Sequence, residues 1–439
     1  MCYKWVIMQV PIIETTFPNG LRVLLKEIHT APLISQWVWY RVGSRDEKPG
    51  LTGISHWVEH MQFKGTSKFP GAVLDKQISR EGGMWNAMTY MDWTAYFETM
   101  PADRIDLVLR LEADRMQNSA FDPADVESER TVIISERQGA ENEPLFRLSE
   151  ALHKTAFLAH PYRHDVIGDM VDLNKIRRQD LYQHYRTYYV PNNAVLSLAG
   201  DFDAEVMLGR LHDLYDEIPA GVEPSRQFIE ESHQNSERSV NVGGPDETTY
   251  IMACWHVPAA THPDFWALAV LDSLLTGPSS PNIIGGGISN KTSILYRALV
   301  DRELAVSVAG GLHSTIDPFL YVITIILHPE RSLEEVISAI DEEIIRLQSD
   351  RPSENDLSRA VKQARALFAY GSESITNQAA WLGFAEMFAD YQWHTNYLEN
   401  LAHVTPLDIQ RVAQTYFEPR NRVLGTYLPS GSDNKIAIV

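Results

Sequence analysis

His56, Glu59 and His60 lie within the stretch Gly53-Ile54-Ser55-His56-Trp57-Val58-Glu59-His60-Met61. On a helix, His56 and His60 stand one turn apart on the same face, and Glu59, three residues after His56, points into the same space. Two neutral imidazoles at that spacing can share one tetrahedral metal ion. A carboxylate left off the metal can take a proton from a water that the metal holds. The order is H-x-x-E-H, the mirror of the H-E-x-x-H signature of zinc proteases. The chain has 15 histidines, so chance alone can produce the motif, and its weight depends on the elements around it.

A His₂Glu metal site also needs a carboxylate from elsewhere in the fold. Residues from Pro123 to about Gly139 read as a helix carrying Glu129 and Glu136, two turns apart and therefore on one face. Glu136 could reach towards the histidines from there. A solvated helix face is the bland alternative for any single glutamate.

The elements that must hold these groups follow from local pattern. Thr16 to Leu25 reads as two extended pieces joined by a turn at Asn19-Gly20. Ile34 to Val42 alternates and is rich in β-branched and aromatic residues, so it is a strand. Gly43 to Gly50 is a polar loop that leads into the metal helix. Gly71 to Glu81 is helical and is stopped by Gly82-Gly83. Met84 to Met100 reads as a strand pair turning near Asp92, and Ala102 to Met116 as an amphipathic helix.

With 439 residues the chain is too long for one ordinary core. An internal repeat shows how it divides. Residues 172–200 align without gaps on residues 400–428 at a constant offset of 228, with identities such as Asp180/Asp408, Tyr188/Tyr416, Pro191/Pro419 and Asn193/Asn421. Each copy reads as a helix, a Pro/Asn turn and a buried strand. The period is too long for a solenoid, so the chain is two copies of one domain. The expected division is residues 1–220, a linker at 221–238 rich in Pro, Gly, Glu, Ser and Gln, and residues 239–439. The second copy lacks the chemistry. Phe265 to Leu275 offers Leu268, Leu271 and Asp272 but no histidine pair, and the place of Glu136 falls near Ala364 or Leu367.

Composition excludes several classes. A net charge of −20 argues against nucleic acid, whose phosphates need a positive face. The same charge would suit a cavity that attracts basic peptides, or be no more than an acidic surface. No apolar run is long enough for a membrane span. Cys2 and Cys254 are too few for a disulfide framework and read as free thiols in a reducing compartment. Residues 1–8 lack a signal-peptide h-region and read as a short extension or a displaced start, which with the missing signals gives a cytoplasmic expectation. Gly285 to Thr292 is one residue short of a phosphate-binding loop, with Asn290 in place of the second glycine. It follows Pro281 rather than a strand, so it reads as a flexible glycine loop.

Together these residues make the chain resemble the inverzincin peptidases, the family of pitrilysin, insulinase and the mitochondrial processing peptidase, in their small two-domain bacterial form. The resemblance spans nearly the whole chain. It is carried by Gly43 to Arg45, Gly53 to Thr66, Gly83-x-x-Asn86-Ala87-x-Thr89-x-x-Asp92-x-Thr94-x-Tyr96, Glu136, His160 to Arg163, Ile167-Gly168, Pro191 to Ala194 and Gly200 to Phe202. It implies an α+β fold of two similar α/β sandwich domains, each a mixed, mostly antiparallel sheet with helices. It implies one zinc ion per chain on His56, His60 and Glu136 with water at the open fourth position, Glu59 as general base, and Glu129 orienting a ligand histidine. It also implies that the strand through Asn86, Ala87 and Thr89 is an edge to which an extended peptide substrate adds.

One departure bears on partners. Self-sufficient relatives carry an Arg and a Tyr in the second domain, where this chain has Val300 and Val306. Arg302 could substitute for the first, but nothing nearby replaces the tyrosine. The family includes two-chain enzymes that divide these parts, and this chain resembles the zinc-bearing subunit. A homologous partner carrying the Arg/Tyr pair, or a homodimer, is therefore expected. The contrasting reading is a non-catalytic scaffold of the core-subunit type in the same family, whose members usually have eroded ligands.

Overall fold

The computed structural model describes residues 11–226, 229–278 and 290–430. The extension at the start, Cys2 and most of the glycine loop at 285–292 lie outside them.

The first half of the chain forms β1 (Ile12–Thr16), β2 (Arg22–Glu27), β3 (Leu33–Tyr40), α1 (Ile54–Gln62), α2 (Gly71–Arg80), β4 (Met84–Thr89), β5 (Thr94–Pro101), α3 (Asp106–Asn118), α4 (Pro123–Glu141), α5 (Pro144–Ala156), α6 (Arg178–Tyr188), β6 (Ala194–Gly200) and α7 (Ala204–Tyr215). The second half forms β7 (Arg238–Gly244), β8 (Tyr250–Val257), α8 (Phe265–Leu275), β9 (Ala305–Leu312), β10 (Phe319–Leu327), α9 (Leu333–Ser349), α10 (Glu354–Gly371), α11 (Ile375–Phe388), α12 (Pro406–Tyr416) and β11 (Arg422–Pro429). The hairpins expected at Asn19-Gly20 and near Asp92 are both present, and Gly20 and Gly82 have the positive φ angles that their turns require.

Two sheets result. One has the order β1-β2-β6-β3-β5-β4 and the other β7-β11-β8-β10-β9. Each contains one parallel pair, β2 with β6 and β7 with β11, among antiparallel neighbours. The repeat is visible at residue level. α6, its following turn and β6 recur at the offset of 228 as α12, its turn and β11, and Asp180 and Asp408 stand at the same position in the first turn of their helices. The two domains share one α/β sandwich design.

Contacts divide the chain into two compact units: residues 1–133, 166–226 and 372–387, and residues 134–165, 227–371 and 388–439. These units are not the two linear halves of the sequence. α11, from the second half, belongs to the first unit. There the Trp37 indole Nε1 donates to the Thr376 carbonyl at 3.1 Å, and Ser197 Oγ to the Ala379 carbonyl at 2.9 Å. Gly383 of α11 lies so close to Trp39 that a Cβ would sit 2.1 Å from the indole nitrogen. With helices on both faces, β3, β5 and β6 are buried along almost their whole length. α5, from the first half, belongs to the second unit, where it packs on β7 and β11. The segment expected to be a linker is irregular in its described part. It is nonetheless anchored, because Glu231 accepts hydrogen bonds from the backbone of Leu158, Ala159 and His160 at 2.8 to 3.0 Å. No helix among the described residues is long and apolar enough to cross a membrane.

Candidate metal centre

α1 carries the histidine pair, and its start is held from outside. The Glu47 carboxylate accepts from the backbone N–H groups of Gly53 and Ser55, both at 2.9 Å, and so satisfies donors that a helix start leaves open. Trp57, next to His56 on α1, is fully buried, with the Arg130 guanidinium of α4 4.7 Å from its ring centre. These contacts fix the rotation of α1.

His56 and His60 then face each other with their Nε2 atoms 3.1 Å apart. Two nitrogens on a tetrahedral zinc, each about 2.05 Å from the metal, are about 3.3 Å apart, so the spacing fits a shared ion. His60 Nδ1 is 2.7 Å from Glu129 Oε1 on α4. Lys64, one turn beyond His60, forms an ion pair with the other oxygen of Glu129. Burial alone would raise the Glu129 carboxyl, but the hydrogen bonds from His60 and Lys64 hold it below its usual range. An ionised Glu129 can only accept. His60 therefore keeps its proton on Nδ1 and turns the lone pair of Nε2 towards His56. Burial, with the His60 charge nearby, lowers the His56 imidazole to about 3. His56 is thus neutral in the range where a metal would bind.

Glu136 completes the group. α4 is one continuous helix, and Glu136 lies two turns beyond Glu129 on it. The ligand atoms of His56, His60 and Glu136 all lie within 4.8 Å of one another. Two imidazole nitrogens and one carboxylate oxygen make a donor set suited to zinc.

Glu59 is 8% exposed, and the Thr89 hydroxyl donates to its Oε2 at 2.6 Å. Asn86, Ala87 and Thr89 lie on β4, the outermost strand of its sheet. Asn86 is exposed, and its side-chain oxygen accepts from the Ala87 N–H at 2.9 Å. Thr89, at the end of the strand expected to take substrate, directs its hydroxyl to Glu59. Sequence reasoning missed this contact together with Glu47 and Lys64. Lys64 had a usable signal, since it follows His60 at the i,i+4 spacing.

In the other unit, the helix nearest in order to the metal helix is α8. Its Asp272 is buried and accepts from the Tyr321 hydroxyl at 2.9 Å and the Thr276 hydroxyl at 3.0 Å. Ala364 and Leu367 are buried apolar residues of α10. Arg302 lines a cleft of about 470 Å³ with Leu274 and Leu347, whereas Val306 lines a different one with Ile326 and Leu327.

Comparisons with known proteins agree on one group. A family model described as insulinase (peptidase family M16) matches residues 22–170, and one described as peptidase M16 inactive domain matches residues 175–364. An uncharacterized zinc protease of Streptomyces coelicolor is 25% identical over 91% of this chain and 86% of its own length. A probable mitochondrial-processing peptidase subunit beta of Arabidopsis thaliana is 26% identical, covering 94% of this chain and 78% of its own. The crystal structure of a protease from Helicobacter pylori superposes with a TM-score of 0.88 at 26% identity, covering 95% of this chain and 99% of that one.

Proposed function

This chain belongs to the insulinase (M16) peptidase family, and on that premise we propose that it is a zinc-dependent endopeptidase subunit acting on unfolded peptides. The reading rests above all on the convergence of the His56, His60 and Glu136 ligand atoms within 4.8 Å. These three residues hold one zinc ion, which supplies Lewis-acid polarisation of the scissile carbonyl and makes water acidic enough to attack near neutral pH. Glu59 lies beside the ligands without belonging to them, and it takes the proton from the attacking water. As the C–N bond breaks, Glu59 passes that proton to the departing amine. The peptide lies along β4, adding to its unpaired edge through Asn86 and Ala87, and the chain's net negative charge favours basic sequences.

Val300 and Val306 leave the second domain without an Arg/Tyr pair, so a homologous partner subunit supplies it. The beta-subunit name of the Arabidopsis relative supports this division of labour. An intact set of ligands and base weighs against a scaffold that only resembles an enzyme.

The test is metal analysis of purified wild type beside His56→Ala and Glu136→Gln. The proposal expects about one zinc per wild-type chain and a loss of at least tenfold in affinity for each variant. Full zinc retention in both variants would overturn this ligand set.

A further inference from the structure

The loop at 43–47 grips two elements at once. On one side, Glu47 caps α1 and the Ser55 hydroxyl donates to the Gly43 carbonyl at 3.1 Å, which fixes the helix that carries Glu59. On the other, Ser44 N donates to the Tyr90 carbonyl at 3.2 Å and Arg45 N to the Met91 carbonyl at 2.8 Å. Those carbonyls belong to the turn between β4 and β5. The approach is so close that a Cβ on Gly43 would lie 2.3 Å from the Tyr90 oxygen, so only glycine fits. Thr89 is the last residue of β4, paired with Thr94 across the same turn.

Glu59 and Thr89 are therefore mounted on supports tied to a common loop, and the 2.6 Å hydroxyl–carboxylate bond closes the ring. A glutamate side chain has three rotatable bonds, and a hydrogen bond to its carboxylate narrows the rotamers it can take. We propose that Thr89 is a positioning residue, whose hydroxyl holds the Glu59 carboxylate in the orientation in which it receives the water proton. The inference rests on the peptidase reading, with Glu59 as base, and adds a role that the edge-strand placement of Thr89 did not suggest. β4 is also the strand on which substrate is proposed to lie. The strand that aligns the peptide thus also aligns the base that activates water against it.

The experiment compares wild type, Thr89→Val and Thr89→Ser for zinc content and steady-state cleavage of a basic fluorogenic peptide. The homologous partner subunit is added if the chain needs it. Valine keeps the shape and removes the hydroxyl, whereas serine keeps the hydroxyl. Expected is a kcat at least about tenfold lower for valine with KM within about twofold and zinc retained, and serine within about threefold of wild type. Unchanged kcat in the valine variant would overturn the proposal. So would a raised KM at unchanged kcat, which marks a substrate contact, or equal damage in serine and valine, which marks methyl packing. Crystal structures of zinc-loaded wild type and Thr89→Val supply a readout independent of turnover. A displaced Glu59 carboxylate is expected in the variant, and an unmoved one contradicts the proposal. Absence of zinc from the wild type overturns the underlying reading, and metal content tells that failure apart.

Discussion

His60 places Nδ1 2.7 Å from Glu129 Oε1, and that single contact decides which ring nitrogen faces His56. Glu129 is itself held by Lys64 from the far side. The chain Lys64, Glu129, His60 runs from a half-buried lysine to the centre of the site, and each member fixes the orientation or charge of the next.

Replacing Glu129 by Ala should free the His60 ring to flip or change tautomer. Zinc affinity should fall about 10- to 100-fold, with the fold retained. Competition with a chromogenic chelator measures this directly. Lys64→Met should have a smaller effect in the same direction. Wild-type affinity in the Glu129→Ala protein would show that His60 is oriented by other contacts.

Glu47 gives a prediction about stability. It is 7% exposed and holds two backbone N–H groups at the start of α1. Glu47→Ala leaves both buried donors without their acceptor and should cost about 1–3 kcal/mol. A lower denaturant midpoint at unchanged m-value is the expected outcome. A midpoint equal to wild type would mean that water replaces the carboxylate at no cost.

A pH dependence follows from the second unit. Burial lowers the His153 imidazole from 6.5 to about 4, with the His313 charge adding to the effect, and burial lowers His313 to about 4 as well. Both rings are neutral in the folded protein at pH 5, whereas the unfolded chain takes up protons near 6.5. Their contribution is therefore whole above pH 6.5 and is lost as pH falls towards 4, by roughly 1.4 kcal/mol per pH unit for each ring. Urea midpoints at pH 7.5, 6 and 5 should fall in that order, and His153→Gln should flatten the slope. A flat profile across this window would contradict the assignment.

Much of this architecture was legible in the sequence, for reasons tied to particular residues. The turn at Asn19-Gly20 and the helix stop at Gly82 depend on glycine at positive φ, which is a local property. The recurrence of α6 and β6 as α12 and β11 was visible because Pro191/Pro419 and Asn193/Asn421 mark the same turn twice. The histidine pair was legible because helical spacing puts both rings on one face, whereas spacing alone left Glu129 and Glu136 on a helix face of undecided role. The membership of α11 in the first unit was not legible. Ile375–Phe388 is buried over most of its length, and its apolar residues are spread around the helix with no single stripe to say which sheet it covers. The Thr89 contact was hidden for a related reason. Strand alternation tells which face a side chain takes but not which element lies across from it, and here that element is 30 residues earlier in the chain.

The most direct test of the central claim is one paired measurement on wild type and Glu59→Gln: zinc content, and hydrolysis of an unfolded basic peptide, with a homologous partner subunit added where the chain needs it. Glutamine keeps the size of the side chain and cannot accept the water proton. The account predicts about one zinc in both proteins, with hydrolysis at least about 100-fold slower in the variant. A Glu59→Gln protein that cleaves as fast as wild type, or a wild type that binds no zinc, would contradict it.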